Sequence, residues 1–158
     1  MSDTSRKPSK IARYSAARLA AVQTVYQIRA AGHTARSASN DYLEHYAKMP
    51  VEDDELVTPD KELYGKIVNG VETRLDDLQA MLGTYVQENR TNTETRRKKL
   101  DILLESLLLC GLYELMAHHE LDPPVIISDY LHVTHAFYDQ NESAIVNGIL
   151  DRAAGALR

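Results

Sequence analysis

The chain has 158 residues, 44% of them hydrophobic and 26% charged, with a formal net charge of −5 and one cysteine. That is enough chain for a single domain with a buried core, and the composition excludes a collagen-like or disordered polymer. An internal disulfide is excluded, and neither an apolar run of bilayer length nor an apolar stretch behind the basic N-terminus is present, so a cytoplasmic setting is expected.

Residues 1–36 carry Arg6, Lys7, Lys10, Arg13, Arg18, Arg29 and Arg36 against Asp3 alone. Residues 1–12 read as a flexible basic tail and residues 13–158 as one helical domain. Apolar spacings of three and four predict a helix over 10–31, overlapping the end of that tail. Ser9 or Ser15 would cap it and Gly32 would stop it. Its inward stripe reads as Leu19, Val22, Val25 and Tyr26, with Arg18 and Arg29 on flanking or outer positions.

Residues 34–39 are small and polar and read as a loop. Tyr42, Leu43 and Tyr46 give a short second helix over 41–47, which Met49-Pro50 ends. The acidic residues 52–55 read as a solvated connection. Thr58-Pro59 is a helix opening, with Thr58 as cap and Pro59 in the first turn. Leu63, Tyr64, Ile67, Val68, Val71, Leu75, Leu78, Met81 and Leu82 then predict one uninterrupted helix. Gly65 and Gly70 inside it each cost about 1 kcal/mol relative to alanine, so the close approach of a neighbouring helix is expected at both.

Residues 89–95 read as a loop, and Arg90, Arg96, Arg97, Lys98 and Lys99 form a second basic cluster. Both clusters read either as wet surface or as attraction for a polyanion. Residues 100–116 are apolar on nearly every side, which marks a helix buried among others, with Cys110 as a small core residue. Asp122-Pro123-Pro124 breaks the chain. Residues 125–138 and 141–157 give two more amphipathic helices. With no strand alternation, the fold class is all-α, six to seven helices.

Catalytic signals are weak. Phosphate-cradling glycine loops, a nucleophile elbow and a zinc-protease motif are missing from the sequence. Asp129, His132 and His135 share a helical face, but a metal site needs converging ligands from elsewhere. His118 and His119 follow the buried helix as it exits to solvent. Neither an enzyme nor a bound metal or cofactor is expected.

Two segments carry a resemblance. The first is AARLAAVQTVYQ, residues 16–27. The second runs from Leu112-Tyr113-Glu114-Leu115 through Pro123-Pro124-Val125 and Ala136-Phe137 to Val146-Asn147-Gly148-Ile149-Leu150-Asp151. Their order and spacing resemble the NusB family of bacterial transcription antitermination factors. Between them, only helical character and Tyr64 with Val68-Asn69-Gly70-Val71 match.

The resemblance implies an all-helical fold of two packed three-helix units. It implies binding to boxA RNA of ribosomal-RNA leader transcripts, with the small-subunit ribosomal protein NusE as protein partner. RNA polymerase would be engaged indirectly, and no membrane. A homodimer is left open. Family members carry a run of arginines where this sequence reads Tyr14, Ser15, Ala16, Ala17 and Arg18, so weaker RNA binding is expected, because phosphate contacts dominate affinity. Leu109 also stands where many relatives have arginine. On this reading Lys7, Lys10, Arg13 and Arg18 contact RNA. Phe137 either stacks on an unpaired base or fills the core. Asn141 and Ser143 either bond bases or cap the last helix, and Tyr26 lies towards the protein partner. The alternative is a diverged interaction module that keeps the protein partner and binds RNA weakly or not at all.

Overall fold

A computed structural model describes residues 9–32, 57–89 and 100–158. Among them are six α-helices: α1 Lys10–Ala31, α2 Lys61–Thr73, α3 Leu75–Asn89, α4 Ile102–Ala117, α5 Pro123–His135 and α6 Gln140–Leu157. The described residues contain no strand. The helix expected over 41–47, the acidic 52–55 stretch and the 96–99 basic cluster lie outside them.

Helices α4, α5 and α6 all pack on one another, whereas α1 and α3 do not touch and are linked through α2 and α4. Helix α4 sits at the junction and packs on all five of the others. This follows from its sequence: Leu107, Leu108, Leu109, Cys110 and Leu112 are all fully buried, so every side needs a neighbour. Helix α1 packs on α2, α4 and α5, and α6 on α3, α4 and α5.

Local signals set the helix ends. Ser9 Oγ accepts the Ala12 N–H, Asp60 Oδ1 accepts the Leu63 N–H and Asp101 Oδ1 accepts the Leu104 N–H. Thus Ser9, not Ser15, caps α1, and Asp60, not Thr58, caps α2. An aspartate can reach the amide three residues on, whereas Thr58 lies too far upstream. Gly32 ends α1 in the left-handed region at φ 73°, which a side chain would resist.

The single helix expected from the Thr58-Pro59 opening through Leu82 is broken at Arg74, where φ is −107° and ψ 21°. The reason is packing. Helix α2 covers α1 and α4, whereas α3 covers α4 and α6, and one straight rod cannot do both. Gly70 answers the expected close approach, since a Cβ there would overlap the Tyr113 ring from α4; at Gly65 a Cβ would meet open space.

Helix α1 also departs from its expected stripe. Its buried positions are Ala17, Arg18, Ala20, Ala21, Val22, Thr24 and Val25. Small alanines let α4 come close, which swings Leu19 half out and leaves Tyr26 41% exposed. Thr24 and Tyr64 join α1 to α2 by a buried hydroxyl–hydroxyl hydrogen bond of 2.7 Å.

Candidate nucleic-acid interface

The N-terminal half of α1 lies against α5, and a groove of about 1080 Å³ runs between them. Lys10, Ile11, Tyr14 and Ser15 line it from α1; Pro124, Val125, Leu131, His132 and His135 line it from α5. Its walls are mainly apolar. Ile11 is 81% exposed and Val125 54% exposed. At one end, His135 also faces a second, polar depression formed with Tyr138, Asp139, Gln140 and Asn141, at the turn into α6. The start of α1 and the α5–α6 turn therefore share one face of the molecule.

Arg18 is not on that surface as a free cation. It is 3% exposed. Its Nε donates to Glu114 Oε2 at 2.7 Å, one terminal nitrogen donates to Glu114 Oε1 at 3.1 Å, and the other to Asp129 Oδ2 at 2.6 Å. Burial alone would lower the guanidinium's pKa, but the Glu114 hydrogen bonds and charge and the Asp129 contact raise it further, so it stays charged. Three of its five N–H donors are used in this way, and at 3% exposure the guanidinium is shielded from a phosphate on the surface. The outer position expected for Arg18 is corrected by the buried glutamate of α4, which draws it in.

Glu114 is fully buried and is the hub of the cluster. Besides Arg18 it accepts the Tyr130 hydroxyl at 2.6 Å and lies 3.0 Å from His118 Nδ1. Burial pushes its carboxyl up. The hydrogen bonds from His118 and Arg18, the Arg18 charge and the Tyr130 hydroxyl outweigh that and hold it below the ordinary carboxylate range. His118, expected at the exit to solvent, is 5% exposed, because this carboxylate recruits it. Asp129 accepts the Ser15 hydroxyl at 2.7 Å as well as Arg18. It is therefore engaged, and no group of three metal-ligating side chains exists among the described residues. Cys110 is fully buried, with burial and the Glu114 charge pushing its thiol up, away from nucleophilic chemistry.

The other expected site residues divide as follows. Lys7 lies outside the described residues. Lys10 lines the groove, and its ammonium stands 5.4 Å from the Tyr14 ring centroid. Arg13 is half-buried and does not line the groove; its carbonyl accepts the Asp60 N–H at 3.1 Å. Phe137 is 37% exposed in the turn after α5, so it is not a core aromatic. Asn141 lines the polar depression in the first turn of α6. The N-cap of α6 is Asp139, without a side-chain cap bond, so Asn141 and Ser143 do not cap it. Ser143 instead donates back to the Asp139 carbonyl at 3.4 Å, and its hydroxyl stands 3.5 Å from His135 Nδ1. Tyr26 is exposed, beyond the groove along α1.

One residue of this face, Tyr138, and one buried behind it, Glu114, carry no site assignment from the sequence. Tyr138 ties the α5–α6 turn to α4 by donating to Asp101 Oδ1 at 2.6 Å; partial burial and that carboxylate push its phenol up. Glu114 was read only as part of a motif. A glutamate inside a helix buried on all sides must find cations, which was the available signal that Arg18 is internal.

The family model described as NusB family matches residues 15–155. Transcription antitermination protein NusB of Novosphingobium aromaticivorans is 31% identical, covering 90% of this chain and 93% of that protein. The protein of the same name from Rhizobium rhizogenes is also 31% identical, over 96% of this chain and 92% of its own. A solved structure of T. maritima NusB superposes with a TM-score of 0.64 at 18% identity, covering 90% of both chains, and shares the fold.

Proposed function

The chain belongs to the NusB family, and on that premise we propose that it is a non-catalytic adaptor of transcription antitermination that binds boxA-type leader RNA of ribosomal-RNA transcripts together with the ribosomal protein NusE. The cytoplasm is its proposed site of action, and among the described residues no helix is long and apolar enough to cross a membrane. The observation that supports this reading best is the shared face. Lys10 at the start of α1 and His135 at the end of α5 line the groove, His135 and Asn141 line the adjoining depression at the start of α6, and the groove carboxylate Asp129 is held by Arg18. Unpaired RNA needs such a strip, with cations for phosphates and exposed rings or amides for bases. Lys7, Lys10, Phe137, Asn141 and Ser143 are the proposed RNA contacts; Arg13 contributes only its long-range charge, and Tyr26 is the proposed contact for NusE.

The second reading, an interaction module with weak RNA binding, is favoured by the internal position of Arg18 and the apolar groove walls. One titration separates the two. Labelled boxA RNA and a scrambled RNA are titrated with the protein at two salt concentrations, with and without NusE. A boxA preference that NusE strengthens supports the adaptor; equal weak binding to both RNAs replaces it with the module.

A further inference from the structure

We propose that the groove between α1 and α5 is a binding slot for an unpaired nucleobase, with the Tyr14 ring as its stacking platform and the Lys10 ammonium on the adjoining phosphate. The inference rests on the RNA-binding reading above and names where one base goes. Tyr14 is half-buried, lines the groove, and sits one turn after Lys10 and one turn before Arg18. The Lys10 ammonium and the Arg18 guanidinium carbon stand 5.4 and 5.7 Å from its ring centroid. Arg18 is fixed by Glu114 and Asp129 and so holds the ring in place. Lys10 makes no ion pair among the described residues, which leaves its charge for a ligand.

The groove chemistry suits a base better than a phosphate chain. Exposed Ile11 and Val125 flank it and Leu131 and Pro124 line it, surfaces that match the flat apolar face of a base. The carboxylate in it, Asp129, is tied down by the Arg18 guanidinium and the Ser15 hydroxyl, which weakens its repulsion of a polyanion without cancelling it, since Arg18 shares its single charge with Glu114. Stacking on an aromatic ring with a cation beside it is the physics of single-strand binding, and every base has a face to offer. Where a run of arginines would read phosphates, this helix offers a ring and one lysine.

The test uses the full chain and a single-stranded boxA RNA in which 2-aminopurine replaces one base at a time. Because Tyr14 also packs on the core, Tyr14→Leu, which keeps apolar volume, accompanies Tyr14→Ala, and circular dichroism confirms that each is folded. Both should weaken RNA binding about ten-fold or more while leaving the slope of log K against log salt unchanged. Tyr14→Phe should retain affinity, and stacking quench of 2-aminopurine should vanish with Tyr14→Leu. Lys10→Ala should reduce the salt slope by about 0.7. If folded Tyr14→Leu binds RNA as the native chain does, the proposal is overturned and the RNA reading stands. If it keeps RNA but loses NusE, the groove is a protein-docking surface and the proposal is overturned. If the native chain binds no RNA at either salt concentration, both fall together.

Discussion

Replacing Arg18 by alanine should unfold the protein more readily rather than merely weaken RNA binding. In the native chain three charge-assisted hydrogen bonds leave Arg18, two to Glu114 and one to Asp129. Summed at roughly 1.5–3 kcal/mol each, they would overstate the loss. Glu114 would keep the Tyr130 hydroxyl and His118, and Asp129 would keep Ser15, so neither carboxylate is left bare. The cost should therefore match that of breaking a buried pair by removing one partner, about 3–5 kcal/mol. For a domain of this length that is roughly 6–20 °C in Tm. Urea denaturation followed by circular dichroism measures it directly. At low temperature, where the variant is still folded, the salt slope of RNA binding should equal the native slope. A variant as stable as the native chain, with a slope reduced by about 0.7, would refute the assignment and return Arg18 to the RNA.

Four further outcomes follow from the same geometry. The Glu114 carboxyl is held below its ordinary range, so the folded state binds fewer protons than the unfolded chain; this stabilisation is present above about pH 4.3 and is lost as pH falls further. Glu114→Gln should flatten stability against pH below that value, and an unchanged acid profile in denaturation would contradict it. Gly70→Ala should cost about 1–3 kcal/mol by driving a methyl into the Tyr113 ring, and the double variant Gly70→Ala with Tyr113→Leu should recover part of the loss in urea midpoints. Arg158 donates to the carbonyls of Leu115, His118 and Leu121 at 2.8, 2.8 and 3.0 Å, which caps the C-terminal end of α4; Arg158→Ala should cost about 1–3 kcal/mol in thermal denaturation. Tyr138→Phe removes the tie between the α5–α6 turn and Asp101, and should speed amide hydrogen exchange in residues 136–141 while moving overall Tm by only a few degrees.

The architecture was legible because helices announce themselves by period. Leu107, Leu108 and Leu109 in one run can be buried only if α4 is surrounded, and it is. Caps were legible where a short polar side chain precedes the first turn, as at Ser9. The faces were less so. Periodicity ranks side chains by polarity, and an arginine is placed outside by default. Here that default fails, because Glu114 lies 96 residues away in sequence and one hydrogen bond away in space. The groove was invisible for a similar reason, since it exists only where α1 and α5 meet. Motif matching found both of its walls separately, as Tyr14–Arg18 and as the stretch from Pro123 to Phe137. It could not say that the wall replacing the arginines would be an aromatic ring with two cations near it.

The buried ion cluster and the proposed base slot are parts of one construction. Arg18 leaves α1 to bind α4 through Glu114 and α5 through Asp129, so a single guanidinium fixes the two helices that form the groove relative to the core. The same guanidinium stands 5.7 Å from the Tyr14 ring and so sets the slot's floor. An arginine on the surface could serve a phosphate but could not hold the walls. Spending it internally shifts the interface from charge towards shape, which predicts shallower salt dependence than a helix presenting several arginines, at an affinity that leans more heavily on the protein partner. A salt slope as steep as several phosphate contacts require would mean that the cations outside the described residues, Lys7 and the 96–99 cluster, carry the binding instead of this groove.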